Sequence, residues 1–154
     1  MGTQEKALIR EKLTRLAEYV EELSPYVKQT YSRYAGRKGD QRIVERLAQI
    51  IVETTIDTND LLIADAGDTP AHHARASFQQ VRDLGILPAA LAERFIDRYV
   101  RLRNLIVHEY DRLDRQTVFH SSQRLIKDAK EYVPAVMRYL SSKAKSGKSG
   151  PQVS

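Results

Sequence analysis

The stretch from residue 41 to 66, "QRIVERLAQIIVETTIDTNDLLIADA", constrains the fold more than any other part of the chain. Ile43, Val44, Leu47, Ile50, Ile51, Thr54, Ile56, Leu61, Leu62 and Ala64 recur there in steps of three and four. Such steps place them on one broad face of an α-helix. A face that wide has to be covered on more than one side, as at the centre of a helical bundle or along a dimer seam.

The neighbouring segments carry the same period. Between residues 5 and 35 the apolar positions include Leu8, Leu13, Leu16, Val20, Leu23 and Val27, which predicts one long helix, bent or split at Pro25. "AGRKGD" ends it, and Asp40 is the expected N-cap of the next helix. A shorter helix is expected over 74–84, stopped by Gly85 as a C′ glycine. Another is expected from Pro88 to Tyr110, with Pro88 in its first turn. Asp114 then caps a last helix over 115–142, which Pro134 should kink. No two-residue alternation and no tight-hairpin signal competes with these helices. The expected architecture is an all-α bundle of four long helices plus a short one. One helical domain is expected over 1–142, followed by a disordered basic tail over 143–154 that contains Lys143, Lys145 and Lys148.

Composition narrows the chemistry. The chain of 154 residues has no cysteine, which excludes disulfides and thiolate chemistry. No apolar run is long enough to span a bilayer, and the N-terminus "MGTQEKALIREKL" lacks the apolar core of a signal peptide. A soluble, cytoplasmic protein without membrane contact is expected. Lys and Arg number 25 against 20 Asp and Glu, a net charge of +5. That excess permits contact with a polyanion without requiring it.

The chemistry-bearing stretch is "RYVRLRNLIVHEYDRLD", residues 98–114, with Arg103, Asn104, His108 and Tyr110 inside eight residues. On an α-helix Asn104 and His108 lie about 40° apart and Arg103 and Tyr110 about 20° apart. Leu102, Leu105, Ile106 and Leu113 are expected to hold the other side against the core. A histidine can move protons at neutral pH. An arginine offers a fixed fork of donors to a phosphate. Together these suit phosphodiester cleavage, especially if a two-fold axis brings two copies of the patch into one cleft. A hydrogen-bonded, capped helix end explains the same residues without any catalysis, and spacing alone leaves both readings standing.

"RNLIVHEY" matches the Arg-x4-His-x-Tyr motif of HEPN-domain toxins of the HepT type. "RIVERLAQIIVETTIDTNDLLI", with Glu45, Arg46 and Asp57, resembles that family's second helix. "FQQVRDLGILPAALAERF" resembles the segment that leads into its motif helix, and the likeness covers most of residues 5–142. The resemblance implies a HEPN-type homodimer whose motifs meet in an interface cleft. It also implies a metal-independent endoribonuclease, the toxin of a type VII toxin–antitoxin pair, with no cofactor of its own. The implied partners are an RNA substrate and a small nucleotidyltransferase antitoxin, MntA. A larger assembly with that antitoxin is compatible with the same likeness. Carried over, Arg103 and His108 are catalytic, Asn104 supports them, and Tyr110 is the residue that the antitoxin modifies with AMP. The alternative is a non-catalytic helical module that presents substrate to such a transferase.

Several other features carry expectations. Arg94, Arg98 and Arg101 fall at i, i+4 and i+7, as an RNA-binding track or as a solvated face paired with Glu93 and Asp97. His72 and His73 lie side by side in a loop without metal-ligand spacing and are expected at the surface, with no metal site. Glu45 and Asp57 are the acids expected to meet the motif arginine or a partner chain, or equally to be members of structural ion pairs.

Overall fold

A computed structural model describes residues 2–149, and side chains from 4 to 143. All regular structure among the described residues is helical. Helix α1 spans Gly2–Lys28, α2 Tyr31–Ala35, α3 Lys38–Asp65 and α4 Ala74–Asp83. Helix α5 (Ala89–Arg94) continues through a π-helical stretch, Phe95–Val100, into α6 (Arg101–His108). A 3₁₀ turn at Tyr110–Arg112 leads to α7, Arg115–Ser149. The continuous rod from Ala89 to His108 thus joins α1, α3 and α7 as the fourth long element, and α4 is the short one. The bundle expected from the apolar period is therefore present, with the five-residue α2 added to it.

Helix α3 lies at the centre, packed against α1, α4, α6 and α7. Val44, Ala48, Ile51, Val52, Leu62 and Ile63 are its buried apolar residues. Ile9, Leu13, Leu16, Val20, Leu23 and Val27 form the buried stripe of α1 opposite. Because Leu23 and Val27 stay buried on either side of Pro25, packing carries α1 through the proline. The break expected at Pro25 falls instead at Gln29–Thr30, where the Thr30 side chain accepts from the Arg33 amide at 3.2 Å. Asp40 is likewise not the N-cap of α3. Arg37 holds that position and Asp40 sits in the first turn, bonded by Gln29 Nε2 at 3.1 Å.

The end of α4 and the start of α7 fall where the sequence places them. Helix α4 ends in a Schellman turn, with Gly85 N–H on the Arg82 carbonyl (3.0 Å) and Ile86 N–H on that of Val81 (2.9 Å). Gly85 has φ +74°, open to glycine at no steric cost. Asp114 caps α7 by accepting from the Thr117 amide (3.1 Å) and hydroxyl (2.9 Å). Helix α7 contains Pro134 and runs past the expected end at 142 to Ser149. Residues 150–154 of the expected tail lie outside the described residues.

A buried polar chain fixes α4 against the centre. The Tyr132 hydroxyl donates to Asn59 Oδ1 (2.6 Å), and Asn59 Nδ2 donates to Ser77 Oγ (3.1 Å). All three residues are fully buried, so each bond is made in a low dielectric and none can be exchanged for water. The start of α4, and with it His73 and Arg75, is held in place by that chain.

The π-helical stretch has a readable cause. Leu91, Phe95 and Tyr99, and in parallel Ala92, Ile96 and Val100, are all buried and repeat every four residues. In an α-helix each step of four drifts by about 40°. An i→i+5 turn takes up one extra residue and keeps both rows on the core. Phe95 stacks on Phe78 of α4 and meets Tyr99 edge-on, each with ring centroids 4.9 Å apart.

Candidate active site

One extra residue in the rod sets everything after it about 100° from where an unbroken α-helix would put it. Of Arg94, Arg98 and Arg101, expected on one face, Arg101 is parted from the other two by that turn. Arg94 Nε bonds Asp128 Oδ1 and its Nη2 bonds Glu131, both at 3.1 Å, while the Tyr99 hydroxyl holds the other Asp128 oxygen. Asp128 is 4% exposed, so Arg94 compensates a buried charge on α7. Arg98 shares a shallow pocket with Arg94 and the α7 residues Arg124 and Lys127. Arg101 alone of the three faces the motif groove.

That groove, of about 1170 Å³, is lined by Arg101, Arg103, Asn104 and His108 from the rod. Its other wall is His72, His73 and Arg75, from the α3–α4 loop and the start of α4. Asp97, Glu109 and Arg112 complete the rim. Four arginines against two carboxylates, with three imidazoles added, make it a basic cleft. Arg112 is paired with Glu109 at 3.1 Å. Arg75 and Arg101 have no ion-pair partner among the described residues.

Arg103 is held from two sides. Its Nε and Nη2 lie 3.2 Å from Glu53 Oε2, and its Nη1 donates to Asn104 Oδ1 at 3.2 Å. Gln49 Nε2 bonds the same Glu53 oxygen at 3.3 Å. A guanidinium carries five N–H groups, so a donor remains on each terminal nitrogen for a ligand in the groove. Asn104 therefore orients the arginine. His108, the last residue of α6, is exposed and lines the groove.

Tyr110 is not on the motif helix. Helix α6 stops at His108, Glu109 takes a non-helical φ of −137°, and Tyr110 opens the 3₁₀ turn. The 20° relation to Arg103 expected from an unbroken helix does not apply. The Tyr110 hydroxyl instead donates to Glu45 Oε1 on α3 at 2.7 Å, with the residue 55% exposed. That bond to a carboxylate, followed by partial burial and the Glu45 charge, raises the phenol above its ordinary pKa, and Arg42 opposes the rise.

Of the alternatives expected for the acids of α3, Asp57 takes the ion pair within the chain, while the partner of the motif arginine is neither Glu45 nor Asp57. Glu53 meets the motif arginine, Glu45 meets Tyr110, and Asp57 turns away to Lys12 at 3.8 Å. Glu45, Gln49 and Glu53 recur every four residues on α3, a signal visible in the sequence. His72 and His73 are exposed, as expected, but on the groove. His73 also caps α4, its Nδ1 accepting from the Ala76 amide at 3.4 Å. Nothing local in the sequence announces that position, which depends on how α4 packs. On the apolar side of the motif only Leu102 is fully buried. Leu105 lines the groove, Ile106 and Leu113 are partly buried, and Val107 is 40% exposed. Among the described residues no group of three or more His, Asp or Glu is placed to hold a metal ion. No helix among them is long and apolar enough to cross a membrane.

The all-α bundle presents Arg103, Asn104 and His108 from one rod to a basic groove, the arrangement expected of a HEPN-type domain. Residues 16–136 match the model of the HepT-like ribonucleases, described as "Ribonuclease HepT-like", and the chain belongs to that family. A tRNA nuclease HepT from Aphanizomenon flos-aquae (strain 2012/KM1/D3) is 28% identical over 140 residues, covering 91% of this chain and 95% of the relative. Two solved structures share the fold. A tri-AMPylated Shewanella oneidensis HEPN toxin in complex with MNT antitoxin superposes with a TM-score of 0.76 at 20% identity, covering 84% of this chain and 96% of that one. A toxin–antitoxin solved with AMP-PNP gives 0.77 at 19% identity, covering 86% and 98%.

Proposed function

We propose that this chain is the ribonuclease toxin of a toxin–antitoxin pair, that it cuts tRNA without a metal, and that nucleotidyl transfer to Tyr110 silences it. The carrying observation is that Arg103 and His108 face one basic groove, with Arg103 fixed by Glu53 and Asn104 so that donors remain for a phosphate. Membership of the HepT-like ribonucleases supports the activity, and the relative's name supports tRNA as substrate.

The chemistry follows from the two side chains. Arg103 binds the scissile phosphate and takes up charge that develops on its oxygens. His108 takes the 2′-hydroxyl proton or returns one to the leaving 5′-oxygen. A second copy of His108, brought up by a two-fold axis, supplies the other member of the acid–base pair, and the active form is a homodimer. Val107 and Ile43, 40% and 39% exposed on the elements that carry the site, are apolar surface for that association. Arg75 and Arg101 hold flanking phosphates. The MntA-like antitoxin supplies AMP to Tyr110, two residues from His108, where added bulk and negative charge repel RNA. The AMPylated toxin among the structural neighbours supports that arrangement.

Incubation of the unmodified protein with tRNA, in the presence of a chelator, is expected to give fragments with a cyclic phosphate end. His108→Ala is expected to abolish them while the helical content is kept. Equal background cleavage by both proteins would leave only a helical module that binds a transferase.

A further inference from the structure

We propose that Glu45 is a catalytic residue of its own chain's modification: it aims the Tyr110 oxygen and accepts its proton during nucleotidyl transfer. The proposal rests on the reading of Tyr110 as the acceptor and adds a role to a residue outside the ribonuclease groove.

A tyrosine with an ordinary pKa near 10 is protonated at neutral pH. Its oxygen is a poor nucleophile until a base removes the proton as the new bond forms. Glu45 Oε1 stands 2.7 Å from that oxygen, inside the reach that a general base requires. The carboxylate comes from the 28-residue central helix, and the phenol from a turn 65 positions away, so the fold and not local chain geometry brings them together. Tyr110 stays 55% exposed, so its oxygen is both held and open to a bound nucleotide. The raised pKa of the phenol fits the same geometry, because a neighbouring carboxylate discourages a free phenolate. The proton therefore moves only as the oxygen gives up electron density. Arg42, one helical turn before Glu45 and exposed, places positive charge on the same side.

The step balances as follows. The Tyr110 oxygen attacks the α-phosphorus of ATP held by the transferase. The new bond is oxygen to α-phosphorus, and the bond that breaks joins the α-phosphorus to the β-bridging oxygen. Pyrophosphate leaves with the electron pair, and the phenolic proton passes to the Glu45 carboxylate. Arg42 then faces the new phosphodiester charge.

The test uses the whole chain with its cognate nucleotidyltransferase and ATP, followed by intact mass over time. Glu45→Gln keeps the size and an acceptor oxygen but cannot take the proton. Its AMP transfer is expected to slow about 100-fold, with KM for the chain little changed. Glu45→Asp, a shorter base, is expected to fall between the two. The rate for Glu45→Gln is expected to climb with pH toward the phenol pKa, while the wild-type rate is already high at neutral pH. Unmodified Glu45→Gln is expected to cut RNA like wild type. Transfer to Glu45→Gln at the wild-type rate and pH profile overturns the proposal. AMP still added to Tyr110→Phe overturns instead the reading of Tyr110 as acceptor.

Discussion

Replacing Arg94 by alanine separates an arginine that serves the fold from those that serve the groove. Arg94 supplies a charged bond to Asp128, whose carboxylate is 4% exposed and keeps only the Tyr99 hydroxyl once the guanidinium is gone. Breaking a fully buried ion pair costs about 3–5 kcal/mol. The Arg94 side chain is 33% exposed, so water screens part of the loss, and the bond to the half-exposed Glu131 contributes little. About 2 kcal/mol is the resulting estimate, which for a chain of this length lowers Tm by about 4–8 °C. Thermal melts followed by circular dichroism read it directly. Combining Arg94→Ala with Asp128→Asn removes the stranded charge, and the pair is expected to be less destabilised than the sum of the singles. RNA binding by the folded Arg94→Ala protein is expected to match wild type, with the same salt slope. A variant that melts within about 1 °C of wild type yet binds RNA more weakly would refute the reasoning and return Arg94 to an RNA track.

Arg101→Ala and Arg75→Ala are expected to raise KM for RNA and each to flatten the dependence of binding on log salt by about one unit, with Tm unchanged. Glu53→Gln is expected to lower kcat while leaving the protein folded, because Arg103 loses its charged anchor; gel-based cleavage rates check it. Asp114→Ala is expected to lower Tm at pH 7. The Thr117 bonds hold the Asp114 carboxyl below its usual range, so its contribution is present above the ordinary carboxylate pKa and lost as pH falls through the depressed one. The difference in Tm from wild type should therefore shrink on acidification. Ultraviolet titration should show Tyr110 ionising at lower pH in Glu45→Gln than in wild type, since its largest raising cause is removed.

The long helices were legible because burial of one face leaves a period that survives in the residues themselves. Leu13, Leu16, Val20 and Leu23 could belong to nothing else. Asp114 and Gly85 were legible for a related reason, since cap chemistry is local. What stayed hidden depends on tertiary packing. A strict four-residue repeat reads as ordinary helix, so the residues themselves do not mark the π-helical stretch at Phe95–Val100 that parts Arg101 from Arg94 and Arg98. The choice among Glu45, Glu53 and Asp57 as partner of Arg103 needed the height at which α6 crosses α3. His72 and His73 reach the groove because a buried tyrosine–asparagine–serine chain sets where α4 begins.

The wide turn in the rod also bears on which length changes the chain tolerates. Deleting one residue within Phe95–Val100 restores an ordinary ladder of i→i+4 bonds, a helix with better local geometry than the native one. Because the wide turn takes up that one residue, the deletion leaves Arg103 and His108 on the side of Glu53 and of the loop that faces them, whereas rewinding the stretch as α-helix at its native length would swing them about 100° around the rod axis. A chain one residue shorter there keeps both its bundle and its aim. Insertions in the loop between α3 and α4 move the wall that His72 and His73 form and leave the rod's wall where it is.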